Sequence, residues 1–270
     1  MSESAAARPA TSVAGKREAA IENPLFEYLL RLGDDRLVLG HRMSEWCGHG
    51  PILEEDIAMA NIALDLVGQG SALLKLAGET EGAGRDEDAL AYFRAEPEFR
   101  NVQMVELPKG DFAFTIVRQF LFDAFSVLQW DALQRCTFAP LAGIAAKALK
   151  EDSYHLRHTS DWVQRLGDGT EESHARAQAA LNELWRFAGE MFESDAVDDA
   201  VRGQGVVVDL AAIRSQWEQT VGDVVRHATL ALPAAGATAS GGRRGRHTES
   251  LGHLLAEMQI VARSHPGAKW

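Results

Sequence analysis

Between Leu141 and Leu166 a stripe at steps of three and four reads Leu141, Ala145, Ala148, Asp152, His155, Thr159, Trp162, Leu166. That period marks the face a helix buries. Asp152 and His155 stand at its centre, an Asp-x-x-His pair where apolar residues belong. The preceding segment repeats the pattern with one acid: Ile116, Phe120, Asp123, Val127, Trp130. A buried carboxylate costs several kcal/mol unless it is paired, hydrogen-bonded or bound to a metal. One carboxylate from one helix and a carboxylate-x-x-His from the next, with Glu151 adjacent, make half the ligand set of a four-helix bundle that holds two metal ions.

The other half is incomplete. Leu53 to Leu76 carries a seam of Ile57, Ala60, Leu64, Val67, Ser71 and Leu74, with Asp65 beside it. Three residues after Asp65 stands Gly68, not histidine, and Gln69 follows. The segment from about Leu25 to Trp46 is its hairpin partner, turning over through Cys47-Gly48-His49-Gly50-Pro51. Counting back from that turn reaches Asp34 and Asp35, yet the polar residue on the strict seam (Leu25, Leu29, Leu32, Arg36, Leu39, Met43, Trp46) is Arg36. A working centre uses about six protein ligands. The expectation is therefore a vestigial di-metal cluster of Asp34, Asp65, Asp123, Glu151, Asp152 and His155, with no metal and no catalytic residue. Arg36 is a candidate substitute for the metal's charge. A single metal on Asp123, Asp152 and His155 is the competing reading.

Helices must position these residues. Periodicity places long ones at about 24–47, 53–79, 111–135, 139–166, 171–192, 209–230 and 247–264, with a short one near 86–94. No alternating β-branched run demands a sheet; Val206-Val207-Val208 is the best candidate. Residues 1–22 read as a flexible tail without the apolar core of a signal peptide, and 23–270 as one helical domain. The 111–135 helix is apolar round most of its circumference, so it is covered by later helices of the same chain, by a partner protein, or by both.

Composition narrows the classes. The chain is 46% hydrophobic, enough for a large core, and its 27 Lys and Arg against 39 Asp and Glu leave a net charge of −12. That balance argues against nucleic-acid binding, which wants a basic footprint. No apolar run approaches the roughly 20 residues of a membrane span, so a soluble cytoplasmic protein is expected. Cys47 and Cys136 lack metal-type spacing and read as reduced thiols.

Several stretches together resemble one family. They are Leu30-Arg31-Leu32-Gly33-Asp34, Glu45-Trp46-Cys47-Gly48-His49-Gly50-Pro51 and Ala60-Asn61-Ile62-Ala63-Leu64-Asp65-Leu66-Val67-Gly68-Gln69. Further on come Lys150-Glu151 with Tyr154-His155-Leu156-Arg157, then Leu184-Trp185-Arg186-Phe187. Gly241-Gly242 through Gly245, His247-Thr248-Glu249, Leu251-Gly252, Leu255-Ala256-Glu257-Met258-Gln259, and Pro266-Gly267 with Trp270 complete the set. From about Leu25 to the last residue the chain resembles the PaaC subunits (also called PaaI) of phenylacetyl-CoA epoxidase, a bacterial multicomponent monooxygenase. The resemblance implies an all-α, ferritin-like four-helix bundle with additional C-terminal helices. It also implies a structural partner for a catalytic PaaA-like subunit that holds the di-iron site and binds the CoA thioester. A reductase with FAD, an iron–sulfur cluster and NADPH would supply electrons. The absent histidine at Gly68 agrees with a non-catalytic member. An oxygenase acting through its own cluster and a helical interaction protein without redox role are the alternatives.

Two loops complete the reading. Gly241-Gly242-Arg243-Arg244-Gly245-Arg246-His247 is the one basic cluster in an acidic chain. Its glycines let backbone N–H groups approach an anion, so Arg243, Arg244, Arg246 and His247 are candidate contacts to a CoA phosphate or an acidic partner. The Cys47–Pro51 segment, His49 included, is expected to be a turn, with Glu45 and Trp46 closing that end of the bundle.

Overall fold

The computed structural model describes residues 22–234 and 236–268. The expected tail therefore lies, except for Glu22, outside the described residues, as does Trp270. Among the described residues ten α-helices run in order: α1 Pro24–Ser44, α2 Leu53–Glu81, α3 Glu87–Tyr92, α4 Gln103–Glu106, α5 Phe112–Leu133, α6 Ala139–Gly167, α7 Glu171–Ala188, α8 Ala196–Arg202, α9 Leu210–His227 and α10 Glu249–Ser264. Among the described residues there is no strand, and Val206–Val208 lies in the connection after α8. The short helices α4 and α8 escaped the periodicity because they span about one and two turns, too little to show a period.

Two long antiparallel pairs make the bundle, α1 with α2 and α5 with α6, and α2 also packs on α6. The arrangement is a ferritin-like helical fold with helices added after the bundle. Asn23 caps α1 through its side-chain oxygen, which accepts from Phe26 N at 3.1 Å, and Pro24 occupies the first turn. The turn to α2 closes on Asp56, whose carboxylate accepts from Gly48 N (3.1 Å) and Gly50 N (2.9 Å). Beyond it α1 and α2 touch backbone to backbone. A Cβ on Gly40 would lie 2.8 Å from Val67 Cγ2, and one on Gly70 would lie 3.1 Å from Leu37 N.

Helix α5 is covered by its own chain. α6, α7 and α9 pack round it, and Trp217 of α9 donates its indole N–H to the Leu121 carbonyl at 2.9 Å. Of the two expected covers, later helices account for the apolar circumference. Among the exposed apolar side chains, three stand on one face of α2: Leu53 is 72% exposed, Ile57 53% and Leu64 69%. The seam expected on α2 is thereby corrected, since Ile57 and Leu64 face outward while Met59, Ile62, Leu66 and Leu73 face the core. Both faces of α2 are apolar, so its phase could not be read from hydrophobicity. α2 and α5 are also long and apolar enough to cross a membrane by length and composition, contrary to expectation. In this fold α5 is the core helix and α2 one wall of the bundle.

Candidate functional site

Four of the expected cluster residues converge between α2, α5 and α6. The buried stripe of α6 is Leu141, Ala145, Ala148, Asp152, His155, Thr159 and Val163, so the chemistry-bearing pair sits at its centre as expected. His155 Nε2 stands 3.1 Å from Asp65 Oδ2, across the α2–α6 seam. Its Nδ1 is 3.5 Å from Asp152 Oδ1, an ion-pair distance without hydrogen-bond alignment. Glu151 lies at the edge of the group, held by Lys147 at 3.1 Å and by Gln69 Nε2 at 3.1 Å. Asp65 has a side chain 41% exposed, which makes it the cluster's outlet to solvent.

Arg36 is the centre of charge. It is fully buried, and its Nη2 donates to Ser126 Oγ (2.8 Å) and Gln129 Oε1 (2.9 Å). The Ser126 hydroxyl in turn donates to Asp152 Oδ2 at 2.5 Å. The guanidinium carbon lies 4.3 Å from the centre of the Trp130 ring, and the Trp130 indole N–H donates to the same Asp152 oxygen at 2.8 Å. Gln69 Nε2 donates to the other oxygen of Asp152 at 2.8 Å. Arg36 thus reaches Asp152 only through a serine, and Asp35 lies 3.7 Å from it.

The protonation states follow from these contacts. Burial opposes the Asp152 charge, but His155, Arg36 and the Ser126 hydroxyl outweigh it and hold the carboxyl below its ordinary range. Burial likewise opposes a charged His155. Asp152, Asp123 and Asp65 outweigh it, and the imidazolium is held up to about 9. Asp123 goes the other way: burial, despite His155, pushes it up to about 7. Asp123 accepts from Gln119 Nε2 at 2.7 Å, and its other oxygen is 3.0 Å from Thr159 Oγ1. Thr159 Oγ1 also stands 2.9 Å from the His155 carbonyl, where its single proton has an acceptor. The Thr159 hydroxyl donates to the Asp123 carboxylate and is shared with that carbonyl.

A pair of metal ions does not fit here. Among the described residues no three His, Cys, Asp or Glu side chains converge as ligands. Gly68 faces solvent where the second histidine would be needed, and the acids left in the cluster already have donors. Asp34 is a correction. Its carboxylate points away from the cluster, pairing with Arg94 and accepting from Arg100 N at 2.8 Å. Asp35 does the same for the C-terminal loop, accepting from Arg243 Nη2 (2.8 Å) and Val102 N (2.9 Å). Counting residues back from a turn gave the right region of α1 but not the direction of the side chains.

In the basic glycine loop two of the four candidate contacts, Arg243 and His247, are engaged inside the fold. Arg243 is turned inward onto Asp35 and onto the carbonyls of Arg31 and Arg100. The His247 side chain is buried, with Nδ1 2.8 Å from Glu106 Oε2. The anion that the glycines approach is internal: Gly241 N and Gly242 N donate to Glu190 Oε1 at 2.8 and 2.7 Å. Arg244 and Arg246 alone of the four are exposed. The Cys47–Pro51 turn is as expected, and Trp46 closes that end, its ring 5.9 Å from Phe112 and its N–H 3.0 Å from Thr115 Oγ1. Missed altogether were Gln69, Gln119, Ser126 and Gln129 as members of the cluster. For the last three, polar residues inside the otherwise apolar α5 were the available signal; Gln69 lies on α2.

Comparison with known proteins places this geometry in a lineage. The C-type component of the 1,2-phenylacetyl-CoA epoxidase of Escherichia coli (strain K12) is 48% identical over 248 residues, which is 92% of this chain and 100% of that protein. The A-type component of the same enzyme is 26% identical over 147 residues, 54% of this chain and 47% of that protein. The sequence model of the phenylacetic acid catabolic proteins, the family that spans PaaA and PaaC, matches residues 10–270, further toward the N-terminus than the motifs reached. This all-helical chain, with a charge-balanced polar cluster in its bundle, belongs to the phenylacetic acid catabolic protein family.

Proposed function

We propose that this chain is the non-catalytic, structural subunit of a phenylacetyl-CoA 1,2-epoxidase, a monooxygenase of aerobic phenylacetate degradation, working in the cytoplasm. It pairs with a PaaA-like subunit that holds the di-iron centre and binds the CoA thioester. A reductase with FAD, an iron–sulfur cluster and NADPH delivers the electrons. The observation that carries this reading is the cluster itself: Arg36 supplies the positive charge, reaching Asp152 through Ser126. A buried acid that already has a guanidinium, an imidazolium and a serine as partners has little left to offer an incoming cation.

The outer stripe of α2 supports the partnership. Leu53, Ile57 and Leu64 project from one face, and contiguous exposed apolar surface marks partner sites. Co-expression with a PaaA-like protein tests both halves of the proposal. This chain, separated from its partner, should carry well under one iron by elemental analysis. Leu64→Glu should leave its thermal stability unchanged but weaken co-purification at least about tenfold, as expected for a charge placed in an apolar interface. About two irons per isolated chain would favour an oxygenase acting through its own cluster. Undiminished pairing of the Leu64→Glu chain would remove α2 from the interface.

A further inference from the structure

The Trp185-Arg186 pair belongs to a motif with no part in the polar cluster, and it borders a cleft of its own. The cleft lies between α7 and α9, with a volume of about 250 Å³. Its walls are aromatic: the Trp185 and Trp217 ring centres are 5.5 Å apart with planes tilted by 31°, and Phe192 lies 5.3 Å from Trp217. Trp217 is buried, and its N–H is committed to the Leu121 carbonyl, so its ring is fixed and presents carbon to the cleft. Pro233, Ala234 and Gly236 line the opposite side with small side chains. They leave space where larger residues would have filled it.

The mouth carries two arginines, Arg186 and Arg214, and one acid, Glu218, an excess of one positive charge. Arg214 lies with its guanidinium carbon 5.8 Å from the centre of the Phe192 ring. Its Nε donates to Glu218 at 3.0 Å, which leaves the two terminal nitrogens without a partner among the described residues. Arg186 lines the rim as a second cation. We propose that this cleft binds a monocyclic aromatic carboxylate, with the ring against Trp185, Trp217 and Phe192 and the acid on Arg214. Size sets the class. An apolar cavity of roughly 150 Å³ accommodates benzene, so this volume takes one ring and a short acid arm. Drug-sized and nucleotide ligands need roughly 300 Å³ or more. Chemistry sets the rest: π-faces favour a flat ring, and a guanidinium fork favours a carboxylate.

The test is titration of the full chain with phenylacetate and benzoate, read by calorimetry and tryptophan fluorescence. Cyclohexylacetate (same charge, no π-face) and benzyl alcohol (ring, no charge) are the controls. A ligand of about ten heavy atoms should bind with Kd on the order of 1 mM. Cyclohexylacetate should bind several-fold more weakly than phenylacetate. Arg214→Gln, an exposed change that spares folding, should weaken both aromatic acids about tenfold and leave benzyl alcohol unaffected. Trp185→Leu should diminish the fluorescence response, leaving the part contributed by Trp217, and weaken every aromatic probe. Absence of saturation by about 20 mM aromatic acid would overturn the proposal. So would equal affinity for cyclohexylacetate, or acid binding indifferent to Arg214→Gln.

Discussion

Arg36→Met is the most discriminating perturbation of the core. Methionine keeps much of the side chain's length and its contact with Trp130 and Phe122 while removing the charge. Ser126 and Gln129 lose the donor at 2.8 and 2.9 Å, Asp35 loses a cation at 3.7 Å, and Asp152 loses part of what holds it ionised. Removing one partner of a buried ionic group costs roughly 3–5 kcal/mol. For a chain of this size about 1 kcal/mol moves Tm by roughly 2–4 °C, so the variant should melt about 10 °C lower at neutral pH. The Asp152 carboxyl is depressed in the fold, so its share of this stability is present above the ordinary carboxylate pKa. It is lost as pH falls through the folded value, and the deficit of the variant should shrink in acid. Asp152→Asn in the Arg36→Met background should cost less than Asp152→Asn alone, with a coupling of roughly 1–3 kcal/mol. Urea denaturation of the four proteins completes the cycle. A loss under about 1 kcal/mol for Arg36→Met, or strict additivity in the double variant, would refute the view that Arg36 balances this cluster.

Three further outcomes are expected. His155 is held up to about 9, so its stabilisation is complete below its ordinary value near 6.5 and disappears as pH rises through about 9. In denaturation series His155→Gln should flatten that fall, worth at most about 3 kcal/mol. Asp123 is pushed up to about 7, and the unfolded chain therefore releases this proton first. The stability of Asp123→Asn relative to the parent chain should improve from pH about 4 through about 7, as followed by Tm against pH. Gly245 has φ +70°, and a Cβ there would lie 2.2 Å from the Pro97 carbonyl oxygen. Gly245→Ala should therefore displace the C-terminal loop from the 96–100 segment and be seen as faster limited proteolysis there.

Part of this site was legible in the sequence and part was not. α6 has one apolar face, so a period of 3.6 residues fixed its phase, and Asp152, His155 and Thr159 fell inward as the stripe requires. The same logic located Asp123 on α5 and Arg36 on α1 as polar residues on buried faces. It failed on α2, where Leu64 and Ile57 are as apolar as the residues facing the core. A stripe reports direction only when the opposite face is polar. The pairing of charges was a different matter. Asp34 and Asp35 are neighbours in the chain, yet they project toward Arg94 and Arg243, residues about 60 and about 208 positions away. Local periodicity carries no information about such partners. The basic loop shows the same limit: its charge and its glycines were visible, but the anion they serve is Glu190, brought there by the end of α7. The sequence by itself determined the long helices, the buried acids of α5 and α6, and the family. Only the tertiary structure decided which cation meets which carboxylate, because that choice is made by side chains crossing between elements far apart in the chain.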